Sequence, residues 1–567
     1  MDYNMLAELL YPEVTKTPAD MEAEYPTRKL PEGAKVTRFA PSPTGFVHFG
    51  GLLPTTTGER LAHQSGGVFI LRIEDTDAKR EVPGAAEALI VTLAKYGIHF
   101  DEGAALDENG NIVDKGNYGP YKQSLRGPIY HVYAKDLVRR GLAYPCFSTA
   151  EELDELNAKD KKAEIKEKKE WDEQAWLAEE AARKEQKMRE RSITLEEVKA
   201  HLDAGEPFVL RLLADGDPSK KTKFTDLVKG TLEIPENDED FVLLKSDGIP
   251  TYHFAHAVDD HLMGTTHVIR GEEWLPSVAK HIQLFRYLGF RLPKYMHNSQ
   301  IMRLDENGNK KKLSKRDMGA NLEDYSRLGY APECVCEYIM TLLNSNYEEW
   351  HMQNPDKPYT DFPFNIKKMS ASGCLFDLAK LGDVSKNVFS RMTADKVYAG
   401  LLGWAEDFDP DYSEKLKAAP DYAKAIISIG RGGKKPRKDY GTYVELKEYT
   451  SLFYDDSFAV TDAYPETADK NDIKKALASF LCSYDPADDQ NVWFEKIKAI
   501  ADDLGYASDM KAYKADPTQY RGSVADISMF IRVAVTGKLN SPDMFTVMNI
   551  LGEDRVRARI NSMINNL

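Results

Sequence analysis

The stretch from Lys35 to Ile73 constrains the fold more than any other part of the chain. Lys35-Val-Thr-Arg-Phe-Ala40 has the makeup of a short buried strand, and Pro41-Ser-Pro-Thr-Gly45 is a turn. Gly51 to Ser65 reads as a helix, and Gly67-Val-Phe-Ile-Leu-Arg-Ile73 as a second buried strand. Strand, loop, helix, strand begins a doubly wound, nucleotide-binding α/β sheet.

One such sheet cannot account for 567 residues, which exceed what a single hydrophobic core supports, so three to five structural units are expected. No run approaches the roughly 20 apolar residues of a membrane span. Residues 1–37 are acidic and lack both a signal-peptide core and an Arg-rich transit pattern. Five cysteines are too few and odd in number for a disulfide framework, which fits a reducing cytoplasm. A net charge of −16 argues weakly against a nucleic-acid partner, because binding depends on where basic residues cluster.

Residues 151–204 hold no Gly or Pro and are dense in Glu, Lys, Ala and Leu, so they read as helical pieces, with Lys159 to Lys169 as a solvated face. Strand character returns at Phe208 to Leu213 and at Asp240 to Lys245, followed by the turn Ser246-Asp-Gly248. From Ala331 helical patterns dominate to the end, interrupted by a charged, loop-like stretch from Gly430 to Asp439.

Two constellations carry chemistry. In Arg38-Phe-Ala-Pro-Ser-Pro-Thr-Gly-Phe-Val-His-Phe-Gly-Gly51, a strand runs into a Pro- and Gly-punctuated loop, and His48 sits beside two glycines where a helix starts. Glycines let backbone approach a phosphate or adenine, a helix N-terminus favours negative charge, and a His can donate to a phosphate in the transition state. Alone, a His beside two glycines is equally a plain loop and cap. Lys310-Lys-Lys-Leu-Ser-Lys-Arg316 packs five cations into seven positions, either a solvated loop or a phosphate-binding one.

Together the two strings resemble the HIGH and KMSKS signatures of class I aminoacyl-tRNA synthetases in their glutamyl form, with Phe49 in the place of the more usual Ile and Gly51 in that of a second His. The resemblance implies ATP binding by Thr44, His48, Gly50, Gly51, Trp274, Lys312, Ser314 and Lys315, with His48, Gly50, Gly51, Lys312 and Lys315 acting in catalysis. Glutamate binding is carried over to Arg38, Ala40, Ser42, Glu74, Tyr252 and Arg270. The guanidinium fork suits a side-chain carboxylate, and a neutral amide would leave such charge unpaired. Glutaminyl relatives place a Glu in the first loop where this chain has Ser42.

The resemblance also implies the domain order: an N-terminal extension (1–37), the first half of a Rossmann-type catalytic domain (38–122) and an acceptor-end-binding insertion with long charged helices (123–250). The second Rossmann half (251–300), a stem-contact or connecting domain with the Lys-rich loop (301–388) and an all-α anticodon-binding region (389–567) follow. Within the last, Arg431, Lys434, Lys435, Arg437 and Lys438 form a basic loop suited to tRNA phosphates.

The implied activity is ATP-dependent charging of tRNA(Glu) with L-glutamate, with Mg²⁺, in a cytoplasmic monomer. A non-discriminating form would also charge tRNA(Gln), and an inactive tRNA-binding paralogue is the rival from another class. A base-modifying relative is disfavoured because such chains end soon after the Lys-rich loop. No protein-held metal is expected: Cys146 stands alone where some relatives carry a zinc site, Cys334 and Cys336 lack a second pair, and His253, His256, Asp259, Asp260 and His261 do not have ligand spacing.

Overall fold

Strands β1 (Val36–Phe39) and β2 (Val68–Leu71) lie parallel, Val36 opposite Val68, joined by the helix Phe49–His63. That helix buries Phe49, Leu52, Leu53 and Leu61. Gly58 lets it approach the sheet, because a Cβ there would come within 3.0 Å of the Phe69 ring. β3 (Glu102–Leu106) extends the sheet in parallel and β4 (Ile112–Lys115) closes it antiparallel. The computed structural model describes the chain apart from residues 46, 78, 150, 151, 153–180, 182–184, 314–316, 318 and 319. Most of the expected helical stretch 151–204 therefore lies outside the described residues, although its last part forms the helix Leu195–Asp203.

The chain divides into two compact units. The first comprises Met1–Leu322 and Ile339–Phe376, the second Glu323–Tyr338 and Asp377–Leu567, so the segment 301–388 contributes to both.

Between the half-sheets of the first unit lies an insertion. β5 (Ala143–Cys146), β6 (Val209–Leu212) and β9 (Val242–Leu244) make one antiparallel sheet, and β7 (Lys221–Asp226) with β8 (Gly230–Pro235) makes a hairpin. The helix Tyr252–Leu262 then leads to β10 (His267–Gly271), the helix Val278–Leu288 and β11 (Lys294–Asn298), parallel to β10. Thr266 joins the halves: Val36 N donates to its Oγ1 and its own N donates to Val36 O, both at 2.9 Å. β1 and β10 are thus neighbours whose crossovers run outward in opposite directions, which opens a crevice at their carboxyl ends.

A buried charge cluster locks this arrangement. Asp259 accepts from Arg126 at 2.7 Å and from Gln123 and Tyr130 at 2.8 Å. Asp260 accepts from Arg72 at 2.7 Å and Arg38 at 3.1 Å, with His256 Nδ1 2.7 Å away. Both carboxylates and Arg72 and Arg126 are shut off from solvent, a state tolerable only because each charge has an opposite charge beside it. Burial alone would raise the Asp260 carboxyl, but Arg38 and Arg72 hold it well below the usual range.

The N-terminal extension is part of this unit. Leu6, Leu10, Tyr11 and Met21 share a core with Tyr130, Tyr133, Leu137, Phe254 and Val258. Arg28 pairs with Glu102 at 2.5 Å, donates to Met263 O at 2.7 Å and stacks on Tyr118, linking β3 to the end of the helix Tyr252–Leu262 from one guanidinium. β12 (Ile301–Leu304) pairs with β13 (Lys310–Lys312) and with the two-residue β14 (Cys374–Leu375), a short strand inside the stretch read as helical.

The second unit is helical among its described residues, apart from one bridge between Ala507 and Ser523. Asp377, Thr393, Asp409, Thr442, Asp469, Asp489 and Asp543 each cap the amides of a following helix, so the helix starts were written locally. A core in it gathers Phe453, Phe480, Ile497, Ile527, Phe530 and Ile560.

Asp260→Asn removes the negative charge that the buried Arg38 and Arg72 share and is expected to cost roughly 3–5 kcal/mol, read as a fall in the urea midpoint. Burial pushes the imidazoles of His253 and His256 down to about 3 and about 4. The unfolded chain takes those protons near pH 6.5, so stability falls as pH drops from there, by up to about 1.4 kcal/mol per unit and per group. A urea midpoint measured between pH 7 and pH 4.5 should fall, and His253→Gln should flatten that slope.

Candidate active site

The crevice between β1 and β10 opens into a cavity of about 1360 Å³. Among the described residues, every substrate-site residue predicted from the sequence lines it: Arg38, Ala40, Ser42, Thr44, His48, Gly50, Gly51, Glu74, Tyr252, Arg270, Trp274 and Lys312. Ser314 and Lys315 lie outside the described residues.

His48 is the N-cap of the helix Phe49–His63, with extended backbone (φ −89°, ψ 149°), and forms a β-bridge with Asn321. Phe49 N donates to Ala320 O at 2.8 Å and Leu322 N to Val47 O at 3.2 Å. Backbone bonds therefore sew the first motif to the segment just after the Lys-rich loop. Phe49, at the unusual position of the motif, is fully buried and meets Phe376 edge-on at 5.4 Å.

Gly50 and Gly51 are not required by packing within the protein. Among the described residues, a Cβ on Gly50 would meet only Ile301 Cδ1 at 4.0 Å, and one on Gly51 nothing within 4 Å. What the missing side chains leave open is cavity, at the positive end of a helix where an anionic group is favoured. Lys312, at the end of β13, is exposed and faces this cavity.

The two arginines differ. Arg38 is 5% exposed and commits its Nε to Asp260, so its charge is offset within the protein. Arg270, 6% exposed, forms no ion pair with a carboxylate among the described residues. Its partners are uncharged: His297 Nε2 at 3.0 Å, Tyr252 Oη at 3.1 Å, His281 Nδ1 at 3.3 Å and Trp274 O at 3.4 Å. Burial, reinforced by the neighbouring imidazole of His256 and by Arg270 itself, holds His281 well below its ordinary value, so it stays a neutral acceptor. The Tyr252 and Trp274 rings lie 4.3 Å apart beside this guanidinium. Glu74 accepts from Arg72 at 3.0 Å, and burial raises its carboxyl against the pull of Arg72 and Arg38.

Several lining residues were not legible as site residues. Lys245 and Asp247 belong to a stretch that reads only as strand and turn; the Lys245 ammonium donates to Thr76 O at 2.6 Å. Glu273 folds over Gly271, where a Cβ would come within 2.5 Å of its carboxylate. His281 and His297, which are not part of the lining but bond Arg270 from behind, carried no sequence signal, being single histidines in unremarkable surroundings.

Among the described residues no three His, Cys, Asp or Glu side chains converge on a metal-sized site. The carboxylates of Asp259 and Asp260 are occupied by arginines, and Cys334 and Cys336 are buried in the helix Pro332–Leu343. In the second unit Arg431 donates to Ile427 O and Met392 O at 2.7 and 2.9 Å, and Arg437 pairs with Asp439 at 2.7 Å. Lys434, Lys435 and Lys438 are exposed.

Residues 35–381 match the family described as tRNA synthetases class I (E and Q), catalytic domain, and residues 519–564 match an anticodon binding domain. The chain is 48% identical to a glutamate–tRNA ligase of Acetivibrio thermocellus over 566 residues, covering 100% of both, and 44% identical to one of Clostridium perfringens, covering 99% of this chain and 100% of that one. It resembles the crystal structure of a glutamate tRNA ligase from Elizabethkingia meningosepticum in complex with its amino acid, with a TM-score of 0.71 at 26% identity over 94% of this chain and 99% of that one. With a family match over more than half its length and full-length relatives, this chain belongs to the class I tRNA synthetases of the glutamate and glutamine branch.

Proposed function

We propose that the chain is a glutamate–tRNA ligase, which activates L-glutamate with ATP and transfers it to the 3′-terminal adenosine of tRNA(Glu), releasing AMP and pyrophosphate. The observation that carries this reading is Arg270, a buried guanidinium in the cavity whose partners among the described residues are all uncharged. A buried charge of this kind calls for an anion from the substrate. Its longer contacts, to His281 and Trp274, are those a side-chain carboxylate would displace. A neutral amide would leave the charge unsatisfied, which is how such a site rejects glutamine.

The residues lining the cavity support the remaining steps. The phosphates of ATP rest where Gly50 and Gly51 leave room at the helix start, with the His48 side chain beside them. An oxygen of the glutamate α-carboxylate attacks the α-phosphorus, and the bond to the β-phosphate oxygen breaks. Lys312 and Lys315 neutralise the departing pyrophosphate. The terminal 2′-hydroxyl of the tRNA then attacks the carbonyl of the adenylate and AMP leaves. Mg²⁺ is expected to accompany the nucleotide; in such sites it is held by one or two carboxylates together with the phosphates. Lys434, Lys435 and Lys438 are the exposed cations of the basic loop available to tRNA phosphates.

Labelled glutamate should attach to a transcript of tRNA(Glu) with ATP and Mg²⁺ present. Charging of a tRNA(Gln) transcript as well would mark a non-discriminating enzyme, and charging of neither would overturn the proposal. His48→Ala and Lys312→Ala should each slow ATP–pyrophosphate exchange by about 10²- to 10³-fold while leaving tRNA binding intact. Wild-type exchange in both variants would show the phosphate site to be elsewhere.

A further inference from the structure

Arg270 and His297 are register partners on the parallel strands β10 and β11, so their side chains leave the sheet on the same face. The bond between them runs from Arg270 Nε to His297 Nε2 at 3.0 Å. An arginine Nε–H can only donate, so Nε2 must present its lone pair and the ring proton must sit on Nδ1. Nδ1 faces Asp226 Oδ2 at 2.7 Å. Asp226 is itself fixed: its carboxylate accepts from Val228 N, Lys229 N and His297 N at 2.9, 2.8 and 3.1 Å. All three side chains are buried, at 1% exposure for Asp226, 0% for His297 and 6% for Arg270.

The order of groups matters. A carboxylate touching Arg270 directly would hold the guanidinium but also neutralise it. Here a neutral imidazole holds it, and the carboxylate stands one residue further back, where it selects the tautomer. The Nε edge of Arg270 is pinned while its charge stays available. Asp226 reaches this place because the β7/β8 hairpin packs through Phe224 onto Val268, Val278 and Tyr295 of the second half-sheet. The hairpin belongs to the inserted segment, so the insertion supplies part of the amino-acid site.

We propose that His297 and Asp226 are positioning residues for amino-acid selection: the pair fixes Arg270 in the orientation that meets the side-chain carboxylate of glutamate, and so sets the preference for glutamate over glutamine. This inference rests on the proposed role of Arg270 in recognising that carboxylate.

The test is ATP–pyrophosphate exchange with tRNA(Glu) transcript present, in the full-length chain, measuring KM for glutamate, KM for ATP, kcat, and kcat/KM for glutamine. His297→Asn keeps an amide where Nδ1 meets Asp226 but cannot reach Arg270; His297→Gln, one methylene longer, restores an acceptor toward Nε. His297→Asn should raise the glutamate KM by about 10- to 100-fold and narrow the preference over glutamine by a similar factor, with ATP KM unchanged, because a buried donor loses its partner. His297→Gln should recover much of that loss. Arg270→Leu, assayed alongside, separates the two ideas. If it abolishes glutamate use while His297→Asn leaves glutamate KM and selectivity as in the parent, the positioning role is overturned and the role of Arg270 stands. If Arg270→Leu leaves glutamate KM unchanged, both fall. A parallel loss in the KM for glutamate, the KM for ATP and kcat, with a lower melting midpoint and no recovery in His297→Gln, would make His297 structural only and also overturn the proposal.

Discussion

Two adjacent carboxylates on one helix hold the catalytic unit in register. Asp259 and Asp260, on the helix Tyr252–Leu262, gather Arg126, Arg72 and Arg38 from the first half of the chain at 2.7 to 3.1 Å. The second half-sheet begins immediately after that helix, so its position relative to β1 is tied to these ion pairs and to the Thr266–Val36 bonds. The cavity is the gap between β1 and β10, and its shape therefore depends on a buried ionic joint rather than on apolar packing alone. Buried charges rarely add much stability over a hydrophobic replacement, but they tolerate only one geometry. A joint between segments separated by a long insertion needs that single geometry.

The same economy separates the two arginines of the cavity. Arg38 belongs to the joint, with Asp260 offsetting its charge, while Arg270 stands among His297, His281 and Tyr252 with its charge intact. One guanidinium is ion-paired within the wall, and the other meets only uncharged groups among the described residues. That difference depends on which acidic side chains reach each arginine, and those come from distant parts of the chain.

The regions around this centre show how auxiliary segments are recruited. The N-terminal extension buries Leu6, Leu10 and Met21 and places Arg28 between β3 and the end of the helix Tyr252–Leu262. The inserted hairpin delivers Asp226 behind His297. In the second unit, the basic run predicted as a phosphate-contacting loop divides: Arg431 is used for internal carbonyl bonds and Arg437 for Asp439, and the lysines remain on the surface.

The sequence alone determined whatever is written locally. The β1–helix–β2 unit, the Pro- and Gly-punctuated loop, the two cationic and glycine-bearing motifs and the helical character of the C-terminal half all follow from residue type and short-range spacing, and the elements appear within two or three residues of their expected bounds. Among the described residues, those named from the motifs line one cavity, and it is the fold that brings these distant segments together. Tertiary structure decided what spacing cannot encode: that His48 pairs with Asn321, that Asp260 claims Arg38, that Arg270 keeps its charge and that Asp226 stands behind His297. Each of these is an electrostatic partnership across a long stretch of chain. The energy of such a partnership depends on distance and desolvation in the folded state, and neither quantity exists before the chain has folded.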